Sequence, residues 1–215
     1  MDVQQALESR HSCRCFLERE IPREQLEEVL RAAFLSPSCE NSQPWEIFVA
    51  GPKAMCKIRQ GYESCRKQKI RADLDNRFDG QWAPQMRGRI DEYFDGICAH
   101  EPHKNLDYTL QKRDLFHAQT MIFVCLDRCL PSWSVFDCGS FVQSLMLSAT
   151  EHGLATIPAA AFVGYPDLIR EVLEIPQEKA VLMGIGIGYP DPNAPVNRFK
   201  SSRKPISEVV YRGME

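Results

Sequence analysis

Ser36-Pro37-Ser38-Cys39-Glu40-Asn41-Ser42-Gln43-Pro44-Trp45 divides a helix from a strand. Upstream, residues 22–34 place Leu26, Val29, Leu30 and Ala33 on one face at helical spacing. Pro22 suits the first turn, where a missing N–H costs nothing. Pro37 is the expected stop, because the residue before a proline is pushed out of the α region. Downstream, Glu46-Ile47-Phe48-Val49-Ala50 reads as a buried strand. Short polar side chains in a loop between two rigid elements are well placed to carry function.

Working outward, residues 3–8 form a short entry helix, and residues 120–126 are a strong strand. Asp137 is the expected N-cap of a helix whose apolar side holds Phe141, Val142, Leu145, Met146 and Ala149, closed by Gly153 at C′. Residues 155–162 read as extended. Tyr165-Pro166 opens a helix with Leu168, Ile169, Val172 and Leu173, and residues 180–187 are the last core strand. Between residues 53 and 117 the chain is polar and helical in character, with Phe78, Trp82, Tyr93 and Phe94 set among charges. That stretch is either a solvated excursion with aromatic anchors or a lid over a pocket. Strands separated by helices indicate an α/β or α+β sheet protein. With no repeat, linker or low-complexity tract, residues 1–215 read as a single domain.

The 215 residues are 44% hydrophobic and 26% charged, with a net charge of −3. This is ordinary globular composition, with no general drive toward nucleic acid or anionic membrane. The N-terminal Met1-Asp2-Val3-Gln4-Gln5 lacks the pattern of a signal peptide, and no apolar run nears the roughly 20 residues that span a bilayer. A cytoplasmic location is the expectation. Nine cysteines is an odd number, and several lie in apolar settings such as Cys125. Reduced thiols acting as small apolar groups are expected. Neither Cys13-x-Cys15 nor the spacing of Cys125 and Cys129 is followed by a second ligand pair, and no metal site is expected.

Gly184-Ile185-Gly186-Ile187-Gly188 is not a dinucleotide fingerprint. That motif needs a helix to open directly after the glycines, and Tyr189-Pro190-Asp191-Pro192 follows instead. The glycines are expected to let a strand lie close to another backbone or to a ligand ring. Arg10, Ser12 and Arg14 alternate, so an extended segment would turn two guanidinium groups and a hydroxyl to one side. Such a set suits a phosphate monoester beside a polar ring edge. A catalytic thiol at Cys39 would need a base nearby, and Glu40 is a poor one.

Three segments in this order resemble the FMN-dependent nitroreductase family over nearly the whole chain. They are Ser9-Arg10-His11-Ser12-Cys13-Arg14, the Pro37–Trp45 loop with its Pro-Ser-x-x-Asn-x-Gln-Pro-Trp pattern, and a tail running from Gly188-Tyr189-Pro190-Asp191 to Asn197-Arg198-Phe199-Lys200-Ser201-Ser202-Arg203. The resemblance implies an α+β fold, a central mainly antiparallel sheet wrapped by helices, in an intertwined homodimer. Residues 70–118 would be a helical lid excursion and 190–215 an arm exchanged between subunits. It also implies one FMN per subunit, with Arg10, His11, Ser12, Lys200 and Arg203 toward the phosphate and ribityl chain. Arg14 would sit at the pyrimidine edge, where a cation stabilises the negative charge of the reduced ring. Pro37, Ser38, Cys39, Asn41 and Gln43 would border flavin and substrate across the interface. The turn of Pro158, Ala159 and Ala160 would bring the backbone N–H of Ala160 to flavin N5. Gly188 would lie near the cofactor, and Gln143 would either border it or be ordinary helix surface. Arg14 and Ala160 are the expected catalytic positions. The implied reaction is ping-pong hydride transfer from NAD(P)H to a nitroaromatic, quinone or similar acceptor. A flavin-destroying or dehalogenating relative, or a flavin-binding protein without turnover, is the alternative.

Overall fold

The computed structural model describes residues 1–75, 82–100 and 114–210; Phe78 and part of the expected lid lie outside them. Four strands form one antiparallel sheet: β1 (Glu46–Ala50), β2 (Thr120–Asp127), β3 (Ala155–Pro158) and β4 (Lys179–Gly188), in the order β1-β2-β4-β3. The helices are α1 (Val3–Ser9), α2 (Arg23–Ala33), α3 (Pro52–Lys67), α4 (Pro84–Ala99), α5 (Trp133–Glu151) and α6 (Pro166–Leu173). The antiparallel α+β architecture expected from the sequence is therefore present.

β2 is buried on both faces, which explains its unbroken apolar run. Successive side chains on a strand point to opposite faces. Met121, Phe123 and Cys125 accordingly join a core with Met55 and Ile58 of α3 and Ile169 of α6. Ile122, Val124 and Leu126 join the other core, with Val29 and Ala33 of α2 and Phe141 and Leu145 of α5. The sheet is thus sandwiched between helices, and its β3 edge is left for the N-terminal segment. Cys13 N donates to Thr156 O at 2.9 Å, and Leu17 N donates to Tyr189 O at 2.9 Å.

The β4 glycines serve packing within the chain. A Cβ on Gly184 would stand 2.6 Å from the Phe162 Cβ, one on Gly186 3.2 Å from Ala118 and Ile157, and one on Gly188 3.1 Å from the Phe16 ring. Several boundaries differ from the sequence reading. Pro22 is the N-cap rather than a residue of the first turn, and α2 closes at Ala33, before Pro37 acts. Asp137 is not the N-cap of α5, which starts at Trp133 after Ser132. It lies inside the helix, buried, where its Oδ2 accepts from Cys39 N at 3.2 Å. The extended reading of 155–162 stops at Pro158, because Ala160–Val163 winds into a 3₁₀ turn that brings Phe162 back over the sheet.

Candidate active site

The N-terminal segment, the β3 edge and the tail converge. Asn197 organises the convergence. Its Oδ1 accepts from the backbone N–H of Arg14 at 2.8 Å and of Cys15 at 3.1 Å. Its Nδ2 donates to the carbonyls of Cys15 at 2.8 Å and Asp191 at 3.0 Å. The carbonyl of Asn197 lies 2.8 Å from His11 Nε2, whose other ring nitrogen lies 2.9 Å from Ser9 O. One amide side chain thereby fixes the backbone on which Arg10, Ser12 and Arg14 are displayed.

Arg14 is only 2% exposed. Its guanidinium donates to Ser12 O at 3.0 Å and to Tyr93 Oη at 2.5 Å. It lies over two aromatic rings, 5.6 Å from the Tyr93 centroid and 5.4 Å from that of Phe199. Among the described residues its Nε has no hydrogen-bond partner, and neither does the buried Thr156 Oγ1 on the neighbouring strand. Arg10 is half-buried, and burial first, then the adjacent Arg203 charge, hold its guanidinium below the usual arginine range. Lys200 Nζ donates to Glu8 O at 3.3 Å, and Arg203 to Ser201 and Ser202. Among the described residues, none of Arg10, Arg14, Lys200 and Arg203 pairs with a carboxylate, although acidic residues outnumber basic ones in the chain.

Pro158, Ala159 and Ala160 lie on the same β3 edge. Ala159 N donates to Gly184 O at 3.2 Å, and the exposed Ala160 opens the 3₁₀ turn, where a first N–H finds no acceptor within the turn. Gly188 lies at the end of β4 against Phe16.

The loop residues go elsewhere. Ser36 Oγ donates to Ala33 O and Ser144 Oγ, each at 2.7 Å, and Trp45 stacks on Phe141 at 5.2 Å. Between these anchors Ser38 Oγ accepts from Gln43 N at 2.9 Å, and Gln43 Nε2 donates to Asn41 Oδ1 at 3.2 Å. The tip is strained, with φ of 52° at Glu40, 58° at Asn41 and 45° at Gln43. Pro37, Cys39, Asn41 and Gln43 are exposed. Gln143, on α5, lines a 210 Å³ cavity with Val135, Cys138, Val142, Met146 and Met183. Among the described residues, no hydrogen bond, ion pair or ring contact joins the loop and Gln143 to the Arg10–Arg14 group. No group of three or more metal-ligating side chains occurs among them either.

Sequence reasoning gave no individual role to Tyr93, Thr156, Asn197 or Phe199. Tyr93 and Phe199 were visible as aromatic residues in polar stretches, but nothing local ties either to residue 14. Thr156 has no sequence signal at all.

The fold is shared with known proteins. The sequence model of the nitroreductase family matches residues 7–189. The 4-nitrobenzoate reductase of Pseudomonas putida is 30% identical, over 94% of this chain and 92% of that protein. The FMN-dependent nitroreductase NfnB of Mycobacterium smegmatis, solved in complex with NADPH, is 25% identical with a TM-score of 0.89, over 99% of this chain and 100% of that one. An iodotyrosine dehalogenase 1 homologue of Caenorhabditis elegans is 23% identical over 95% of this chain and 59% of that protein.

Proposed function

The chain belongs to the nitroreductase family, and from that membership we propose that it is an FMN-dependent oxidoreductase reducing nitroaromatic acceptors at the expense of NAD(P)H. The observation that carries the reading is that Arg10 and Arg14 flank Ser12 where it meets the β3 edge, with the Arg203 charge felt at Arg10 and, among the described residues, no carboxylate paired with any of the three. The residues fit FMN. Arg10 and Arg203 repel each other until an anion lies between them, which suits a single phosphate. The unpartnered Arg14 Nε and Thr156 Oγ1 are buried polar atoms awaiting ring or ribityl acceptors and donors.

When bound, FMN would supply two-electron hydride chemistry between NAD(P)H and the acceptor. Arg14 holds a fixed cation at the ring edge and so favours the more negative, reduced form. The N–H of Ala160 would lie toward flavin N5, and Asn197 holds the backbone of Arg14 and Cys15 in place. The exposed loop tip, Pro37 to Gln43, and Gln143 complete the site of a second copy. This division of the site between subunits makes the protein a homodimer; because residues 190–203 fold back on their own N-terminal segment, the arm expected over 190–215 crosses only after Arg203.

The purified protein should be yellow and release FMN, not FAD, on denaturation. It should oxidise NADH or NADPH with 4-nitrobenzoate as acceptor and give parallel double-reciprocal lines. A colourless protein that takes up no added FMN would overturn the reading. Intersecting lines would replace the shared flavin face with a separate nicotinamide site. A second reading, reductive dehalogenation, draws on the similarity to the C. elegans protein. It requires turnover of iodotyrosine in preference to 4-nitrobenzoate.

A further inference from the structure

Arg14 is a buried cation that, among the described residues, has no acidic partner. Isolated buried charges are costly, and they are normally held by a carboxylate. Here the neutral substitutes come from two segments distant in sequence. Tyr93 of α4 offers its hydroxyl oxygen at 2.5 Å and its ring face. Phe199 of the tail offers a second ring face. The two rings meet edge to face, with centroids 5.6 Å apart.

The α4 surface is shaped for this arrangement. Tyr93, Gly96, Ile97 and His100 fall at helical spacing on one face. Ile97 packs with Val196 and Phe199, and His100 lies 5.6 Å from the Phe199 ring. A Cβ on Gly96 would run into Phe199 Cε2. Glycine within a helix costs about 1 kcal/mol relative to alanine, and at this position it leaves room for the ring that covers Arg14.

We propose that Tyr93 is a positioning residue for Arg14, and that α4, through Tyr93 and the Phe199 ring that Gly96 admits, sets how strongly the bound flavin's reduced form is stabilised. The inference rests on the flavin reading above. Because the Tyr93 oxygen accepts from Arg14, the phenolic proton is directed elsewhere, so the hydroxyl orients the guanidinium without neutralising it. Loss of the hydroxyl leaves a second guanidinium nitrogen short of an acceptor and lets the charge swing from the ring edge.

The test is the midpoint potential of bound FMN, with FMN affinity measured in parallel, for the wild type and for Tyr93→Phe, Tyr93→Leu, Gly96→Ala and Arg14→Met. The equilibrium constant for reduction should fall about threefold in Tyr93→Phe and about tenfold in Tyr93→Leu. Tenfold corresponds to a potential about 30 mV more negative for a two-electron couple. Gly96→Ala should shift the potential in the same direction while raising the helicity of α4, which separates positioning from folding. In the double variant Arg14→Met/Tyr93→Leu the Tyr93 effect should vanish. FMN affinity should stay within a few-fold throughout. Wild-type protein that binds no FMN would overturn the flavin reading and this proposal together. A potential that moves in Arg14→Met but not in the Tyr93 and Gly96 variants would overturn this proposal alone.

Discussion

At the scale of the residue, two arginines four positions apart have different environments and should fail differently. Arg10 is half-buried beside another cation, and Arg14 is enclosed between aromatic rings. Arg10→Ala removes a charge-assisted phosphate contact and should weaken FMN binding about 10- to 100-fold, with little change in the potential of the bound fraction. Arg14→Ala should bind oxidised FMN nearly as before. Its potential should fall, because a single nearby charge at a partly screened site is worth on the order of 1–3 kcal/mol, or roughly 20–60 mV. Dye-equilibrated titration of both variants checks the pair, and an unchanged potential in Arg14→Ala would remove Arg14 from catalysis. The alternation of Arg10, Ser12 and Arg14 was legible in the sequence. That Arg14 folds back on Ser12 O and under Tyr93 was not, since those partners are set by helix packing.

At the scale of the element, β4 shows why a glycine pattern misleads when read locally. Gly184 faces Phe162 because the 3₁₀ turn after β3 folds back over the sheet. Gly184→Ala should therefore overpack the core and cost about 1–3 kcal/mol in urea unfolding. A neutral result would mean the turn yields easily. At the other end of β4, Asp75 pairs with the buried Arg170 and with Arg128, and accepts from Val181 N at 2.8 Å. It ties the segment leading toward α4 to the sheet. Asp75→Ala strands Arg170, whose Nε already lacks a partner, and should cost about 3–5 kcal/mol. Chemical denaturation that gave less than 1 kcal/mol would show that Asp167, the other partner of Arg170, suffices.

At the scale of the whole molecule, the exposed loop tip and the exposed apolar side chains Leu35, Trp133 and Phe136 are surfaces that the proposed homodimer would cover. Sedimentation should show a flavin-loaded dimer, and truncation before Asn197 should lose both dimer and flavin; a flavin-loaded monomer would contradict this. Burial pushes the Cys13 and Cys125 thiols up to about 12 and Cys138 up to about 11, against an ordinary 9.0. The unfolded chain therefore ionises first, so their contribution to stability is intact below about pH 9 and is lost progressively as pH rises toward 12. At pH 8 a thiol reagent should label the exposed Cys56 and Cys129 but not Cys13, Cys125 or Cys138 until the protein unfolds. The segments that periodicity governs, β1, β2, β4 and the apolar faces of α2, α5 and α6, were determined by the sequence alone, because burial imposes a repeat of 2 or 3.6 on the chain. The gathering of Arg14, Tyr93, Thr156, Asn197 and Phe199 was decided only by the tertiary structure. Those residues are far apart in sequence and follow no repeat, and they meet because one edge of the sheet is left open between its helices.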